Sequence, residues 1–188
     1  MSFAVLVLAS GLSKRFGTED KLMTDLKGQA LLAYCLDAAR NAEFDRYFIV
    51  TPSGDPKAEL AQSFGFEVID NPQPEAGQGS SLSLGITHLL DSKVEKVCVL
   101  LGDMPYVTGD FLRELKSVSN KSDIVFSRLN DCNQPPAIFN QKAMSRLTSL
   151  QGDKGAQTVN WAGLKILNLE ICKDLAIDFD TEDDFKAV

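Results

Sequence analysis

An α/β domain, three-layered around a mostly parallel sheet, is the fold this sequence predicts, and three observations predict it. The segment FAVLVL at residues 3–8 is apolar throughout, the pattern of a strand covered on both faces, as inside a parallel sheet. Extended apolar segments then alternate with segments of helical spacing, the signature of βαβ units with right-handed crossovers. Finally, 188 residues with 44% hydrophobic content suit one domain, residues 1–188, with a sizeable core.

Each element follows in order. The first strand runs into Ala9-Ser10-Gly11-Leu12-Ser13-Lys14-Arg15-Phe16-Gly17, with Lys21 shortly after. Residues 30–41 put Leu31, Leu32, Cys35, Ala38 and Ala39 on one helical face. Residues 46–50 (RYFIV) read as the second strand, 57–64 as a short helix stopped by Gly65, and 66–69 as the third strand. Asn71-Pro72 opens a loop through Gly79, and Ser80 or Ser81 is expected to cap a helix running on to Leu90. KVCVLL at 96–101 is a fourth buried-type strand, leading straight into Gly102-Asp103-Met104-Pro105. A helix over 108–118, with Thr108 or Asp110 near its cap, and a strand over 123–127 come next. The prolines of Asn133-Gln134-Pro135-Pro136-Ala137-Ile138-Phe139 predict an edge strand or loop rather than a central strand. A helix over 141–150, a glycine-rich turn over 152–157 that could hold Asp153 as a helix cap, and a strand over 164–169 lead to an acidic tail. There Thr181 and Asp184 have capping-box spacing.

Composition narrows the function. The net charge of −7 disfavours long nucleic acids and anionic membranes as partners. Cys35, Cys98, Cys132 and Cys172 are scattered, form no Cys-x-x-Cys pair, and share the chain with one histidine, His88. This argues against a zinc site or disulfide framework and fits a reducing cytoplasm. Cys98 reads as core and His88 as partly exposed and structural. Met1-Ser2 leads directly into a strand, with no basic leader, and no apolar run is long enough to span a bilayer. A cytoplasmic protein is expected.

Two loops and one turn carry the chemistry. The small residues after the first strand (Leu8, Ala9, Ser10 and Gly11 begin the loop) let backbone N–H groups approach a phosphate. Arg15 and Lys21 supply cations for phosphate oxygens, whereas Lys14 and Lys27 read as solvated. In the second loop, Gly79 and Ser80 are candidates for contact with a nucleoside. Asp103 follows a central strand at its carboxyl end, where open α/β sheets bind ligands. It is a metal-ligand candidate of the kind Mg²⁺ takes beside phosphate oxygens.

These segments resemble the molybdenum cofactor cytidylyltransferases and guanylyltransferases. Their first loop reads roughly Leu-Ala-Ala/Gly-Gly-x-Ser-x-Arg-Met/Phe-Gly-x-x-Lys. Here Ser10 replaces the alanine of the cytidylyl or the glycine of the guanylyl enzymes, and the spacer before Lys21 is one residue longer. Leu101-Gly102-Asp103-Met104-Pro105 is a full match, and Asn71-Pro72 with Gly77, Gly79, Ser80, Ser81 and Leu82 follows the family's second loop. Pro136-Ala137-Ile138-Phe139 fits its Pro-x-x-Phe. Gln157 stands where the family's Gly-Asp-x-Gly-Ala-Arg segment has arginine, and the tail is similar to its Asp-Ile-Asp-Thr-Pro-Glu-Asp ending.

The resemblance implies a Rossmann-like, nucleotide-diphospho-sugar transferase type of fold and Mg²⁺-dependent transfer of a nucleoside monophosphate to a phosphorylated small-molecule acceptor, a molybdopterin-type cofactor. It implies that Arg15 holds the β- and γ-phosphates and that Lys21 stabilises charge at the α-phosphate. Asp103 and a tail carboxylate, Asp180 by analogy with Asp178 as the alternative, would hold Mg²⁺. Leu8, Ala9, Ser10, Gly11, Gly79 and Ser80 would contact the nucleotide. The bulk of Ser10 favours CTP over GTP. A guanylyltransferase, another phosphate-acceptor transferase, and a non-catalytic nucleotide-binding carrier or sensor stay open. Molybdoenzymes or cofactor-delivery proteins are the expected protein partners.

Overall fold

The computed structural model describes residues 2–11, 20–179 and 184–185. Strand β1 (Phe3–Leu8) is buried at every position. Ala4, Leu6 and Leu8 enter one core, and Phe3, Val5 and Val7 the other, as the two-residue period of a strand dictates. The chain continues through a small antiparallel pair, β2 (Asp25–Leu26) and β3 (Gln29–Ala30), into α1 (Leu31–Asn41). There follow β4 (Arg46–Thr51), α2 (Pro56–Ser63), β5 (Glu67–Asp70), α3 (Gln78–Asp91), β6 (Lys96–Leu101) and α4 (Gly109–Val118). The last elements are β7 (Ile124–Leu129), β8 (Cys132–Asn140), α5 (Gln141–Leu147) and β9 (Ile166–Glu170).

Seven strands form the main sheet in the order β5-β4-β1-β6-β8-β7-β9. All run the same way except β8, which is antiparallel to both neighbours. On one face, Cys35, Leu36 and Ala39 of α1, Ala61 of α2 and Leu112 and Leu115 of α4 cover Val5, Val7 and Leu100. On the other, Leu82, Ile86 and Leu89 of α3 and Met144 and Leu147 of α5 cover Leu6, Phe48 and Val97. The fold is therefore the expected three-layer, mostly parallel α/β domain. The five residues expected to share a face of α1 are all buried, because an apolar stripe at helical spacing has to meet the sheet.

Strand β8 corrects the expectation of an edge strand or loop at Pro135-Pro136. It lies inside the sheet, between β6 and β7. The prolines are accommodated because only Ala137–Asn140 pair with β6. Toward β7 the register shifts between Phe126, opposite Ala137, and Ser127, opposite Gln134, leaving both prolines in a bulge. A residue without an N–H costs no ladder bond there.

Helix α3 corrects the expected serine cap. It starts at Gln78, after Gly77 at φ 96°, a backbone geometry that glycine adopts without strain. Ser80 and Ser81 lie inside the helix, and their hydroxyls donate to the carbonyls of Ala76 (2.9 Å) and Gly77 (3.2 Å). The helix end is met instead by a distant loop: Gly79 N donates to Gly152 O at 2.7 Å, and Asp153 Oδ1 accepts from Gln78 N at 3.4 Å. Asp153 is thus a cap for a helix far from it in sequence. Helix α4 agrees with expectation, with Thr108 Oγ1 accepting from Phe111 N at 3.2 Å. Helix α5 stops at Leu147, short of the expected residue 150.

Candidate functional site

Parallel strands present their carboxyl ends at one edge, and the site is built there. The exit of β1 is strapped to both neighbours. Ala9 N and Ser10 Oγ each donate to Val50 O at 3.0 Å, and Gly102 N donates to Leu8 O at 3.1 Å. Ser10 is buried, with its hydroxyl engaged by the sheet.

A single 3₁₀ turn, Lys21–Met23, carries the cation. Asp20 caps it, with Oδ1 accepting from Leu22 N at 2.9 Å, and Leu22 anchors it in the core. The other Asp20 oxygen accepts from Lys57 Nζ. Lys57, a lysine whose side chain is only 4% exposed, also lies 3.0 Å from Asp55 Oδ2, and Asp55 caps α2. This charge triad, a buried lysine between two half-buried carboxylates, joins the start of α2 to the turn beneath Lys21. It was missed in the sequence because its members are distant residues of ordinary type.

The turn delivers Lys21 Nζ to 2.9 Å from Asp103 Oδ2, so two predicted site residues meet directly. The other oxygen, Asp103 Oδ1, is buried and has no hydrogen-bond partner among the described residues. A buried carboxylate oxygen without a donor is costly, and a hard divalent cation would satisfy it. The backbone of Asp103 is tied to the tail, Phe179 N donating to Asp103 O at 3.1 Å. Phe179 is buried against the rings of Tyr106 (5.8 Å) and Phe185 (4.9 Å). Behind the strand end, Cys35 Sγ donates to Leu101 O at 3.3 Å. Burial, then the negative charge of Asp103, push this thiol well above its ordinary range, so it stays neutral.

These groups surround a cleft of about 470 Å³, a size that suits a nucleotide-sized ligand. Leu8, Ser10, Gly11, Lys21 and Asp103 of the predicted set line it. So does Asp178, the alternative tail carboxylate. Arg15, Lys14 and Asp180 lie outside the described residues. Gly79 and Ser80 do not line the cleft. Gly79 is pressed on the backbone of residues 152–154, and Ser80 Oγ accepts from Gly152 N at 3.1 Å. Their neighbours Gly77, Gln78 and Ser81 face the ligand space instead. Ser81 is held there by Asn71 Nδ2, donating at 3.1 Å, while Asn71 Oδ1 accepts from Gln73 N at 3.1 Å. Glu75 and Asp153 also line the cleft and were not foreseen as site residues.

Among the described residues the cleft pairs one lysine, Lys21, with four carboxylates, Glu75, Asp103, Asp153 and Asp178. Carboxylates beside a phosphate-sized space suit a triphosphate that arrives with a divalent cation.

Comparison with known proteins gives the family and the fold. The MobA-like NTP transferase domain matches residues 5–162. A purine catabolism protein, PucB, from Bacillus subtilis (strain 168) is 26% identical over 83% of this chain and 79% of its own length. A probable molybdenum cofactor guanylyltransferase from Pyrococcus horikoshii is 30% identical over 65% of this chain and 59% of its own length. Apart from the Bacillus protein, the chain spans less than two thirds of the curated relatives it matches, and only 28% of the bifunctional GlmU of Lawsonia intracellularis. Among solved structures, Rv0371c from Mycobacterium tuberculosis H37Rv superposes with a TM-score of 0.82 at 26% identity, covering 100% of this chain and 96% of that one. The same protein solved as a complex with manganese gives a TM-score of 0.78 at 24% identity, over 100% and 97% of the two chains. With that family matched across most of a chain whose parallel strands end at this cleft, the protein belongs to the MobA-like NTP transferases.

Proposed function

We propose that the protein is a Mg²⁺-dependent nucleotidyltransferase that moves CMP from CTP to a phosphorylated acceptor of molybdopterin type, releasing pyrophosphate. The observation that carries this is Asp103: one oxygen is paired with Lys21, and the other is buried without a donor among the described residues, at the wall of a nucleotide-sized cleft. Asp103 fits a metal ligand there. Asp178, which lines the cleft, and Asp180 are the candidates for a second carboxylate. Bound Mg²⁺ supplies charge neutralisation and orientation of the triphosphate.

The protein's own groups do the rest. Lys21 stands against charge that develops on the α-phosphate oxygens, and Arg15 holds the β- and γ-phosphates. An oxygen of the acceptor phosphate attacks the α-phosphorus in line, and the bond to the β-phosphate oxygen breaks as pyrophosphate leaves. The attacking phosphate is already anionic, so no general base is required. Rate then rests on positioning, which the Asp20-capped turn provides for Lys21.

Preference for CTP is supported by Ser10. Its hydroxyl is held by Val50 O, which fixes bulk at the cleft wall where a purine needs more room. GTP is the second reading, favoured by the Pyrococcus relative named as a guanylyltransferase. The Bacillus relative is named for purine catabolism, so other acceptors stand beside the molybdopterin type. A cytoplasmic setting, with handover to molybdoenzymes or cofactor-delivery proteins, follows from this role. It is consistent with four free cysteines and with the lack, among the described residues, of a helix able to cross a membrane.

The test is pyrophosphate release from CTP, GTP and the other NTPs with Mg²⁺ and a molybdopterin acceptor. Release fastest with CTP supports the proposal, and release fastest with GTP replaces cytidylyl by guanylyl transfer. Nucleotide binding without release with any NTP makes the protein a carrier or sensor.

A further inference from the structure

A second cavity opens beside the nucleotide cleft and shares Leu8, Gln78 and Leu101 with it. It holds about 120 Å³, close to the room one ring takes, since a cavity of about 150 Å³ accepts benzene. Its walls are apolar, chiefly Phe126 and Phe139 of β7 and β8. Its polar groups are side-chain amides, and no ionisable side chain lines it among the described residues. One of these amides is unsatisfied: Gln134 Nε2 is buried and donates to nothing among the described residues. Gln157 also lines this cavity.

On the nucleotidyltransferase reading above, we propose that this cavity receives the body of the phosphorylated acceptor, and that this body is an uncharged ring carrying a hydrogen-bond-accepting atom. The position follows from the chain. Leu101 walls both spaces and Asp103 lies two residues on, so a ring in the cavity has its phosphate directed toward the Lys21–Asp103 pair. The charge follows from the lining. A carboxylate or ammonium placed here would leave water without meeting an opposite charge, and that burial is strongly unfavourable. The accepting atom follows from Gln134, whose idle N–H is a donor waiting for an oxygen or nitrogen lone pair. Gln157, an amide, keeps the lining neutral, so it selects against acidic bodies that an arginine would welcome.

The test uses two matched probes, 4-carbamoylphenyl phosphate and the isosteric 4-carboxyphenyl phosphate. They are titrated calorimetrically into the full-length protein holding Mg²⁺ and the α,β-methylene analogue of CTP or GTP, whichever binds. The neutral probe should bind about tenfold tighter or better. Gln157→Arg should abolish or reverse that preference. Gln134→Leu should weaken the neutral probe about threefold to tenfold and leave the affinity for the NTP analogue unchanged. Equal or tighter binding of the carboxylate by the parent protein, or no binding of either probe, overturns the proposal. So does an effect of Gln134→Leu on the NTP analogue instead of the probe, which would give the cavity to the base. If no NTP analogue binds with Mg²⁺, the nucleotidyltransferase reading itself falls and takes this proposal with it, which distinguishes the two failures.

Discussion

Alanine in place of Gly79 should destabilise the protein from inside a helix, where glycine-to-alanine changes normally help. A Cβ at Gly79 would stand 2.4 Å from Lys154 O and 2.9 Å from Gly152 O. Both atoms are backbone, so no side chain can swing aside. The bond from Gly79 N to Gly152 O, 2.7 Å long, would be stretched or lost. Overpacking of this kind costs about 1–3 kcal/mol, and the hydrogen bond about 0.5–1.5 kcal/mol. Alanine returns about 1 kcal/mol through its better helix propensity. A net loss of about 1–3 kcal/mol is expected. The displaced loop takes Asp153 with it, so the affinity for Mg²⁺–NTP should fall too. Gly11→Ala is the matched comparison, because a Cβ there meets no described atom within 4 Å. It should leave stability within about 0.5 kcal/mol of the parent. Urea unfolding at equal m-values reads both variants. A Gly79→Ala protein as stable as the parent, or a Gly11→Ala protein equally damaged, refutes the reasoning.

Asp103→Asn should cut pyrophosphate release about a hundredfold or more at saturating Mg²⁺ while keeping the parent's unfolding midpoint, and parent-like turnover would remove Asp103 as a metal ligand. Arg15→Ala and Lys21→Ala should each weaken NTP binding or turnover about tenfold, and Lys14→Ala less than about twofold; equal losses in all three would mean a diffuse basic patch. Asp20→Ala should cost about 1–2 kcal/mol through the lost cap and raise KM for NTP. Asp20→Asn, which keeps an accepting oxygen, should lose less, and an unchanged KM in both would free the Lys21 turn from Asp20. Burial pushes the Cys98 thiol from 9.0 up to about 12. The unfolded chain therefore binds fewer protons above pH 9, and stability falls with rising pH by up to about 1.4 kcal/mol per unit on this account. Cys98→Val should show a shallower decline in urea unfolding above pH 9, and parallel curves would refute the assignment.

What was legible in the sequence was local. The all-apolar β1 and the apolar run 97–101 of β6 read as central strands, and the stripe of α1 could only face a sheet. Asp103 was readable because it sits just past a buried strand, and Lys21 because it follows the loop that leaves another, even though 82 positions separate them. What escaped depends on partners that no local pattern reveals. Pro135 and Pro136 argue against a central strand until the bulge opposite Phe126 and Ser127 is seen. Ser80 has the composition of a cap, but the true helix start is set by Gly77 and by a loop some 75 residues away. Lys57 reads as a surface lysine on a weakly amphipathic helix, and only tertiary packing buries it between Asp20 and Asp55. Gly79 signals a close approach in the sequence, without saying whether ligand or protein makes it.

The tie between Phe179 and Asp103 bears on the order in which the protein becomes competent during synthesis. All seven strands are encoded by residue 170, and domains condense from the amino terminus as the chain emerges. A nascent chain that has closed its sheet still lacks the Phe179 N–H that holds the Asp103 carbonyl, the aromatic contact with Tyr106, and the Asp178 wall of the cleft. Residues 178 and 179 are made after the whole sheet, so the sheet can close before the Asp103 backbone is tied and this wall of the cleft is in place.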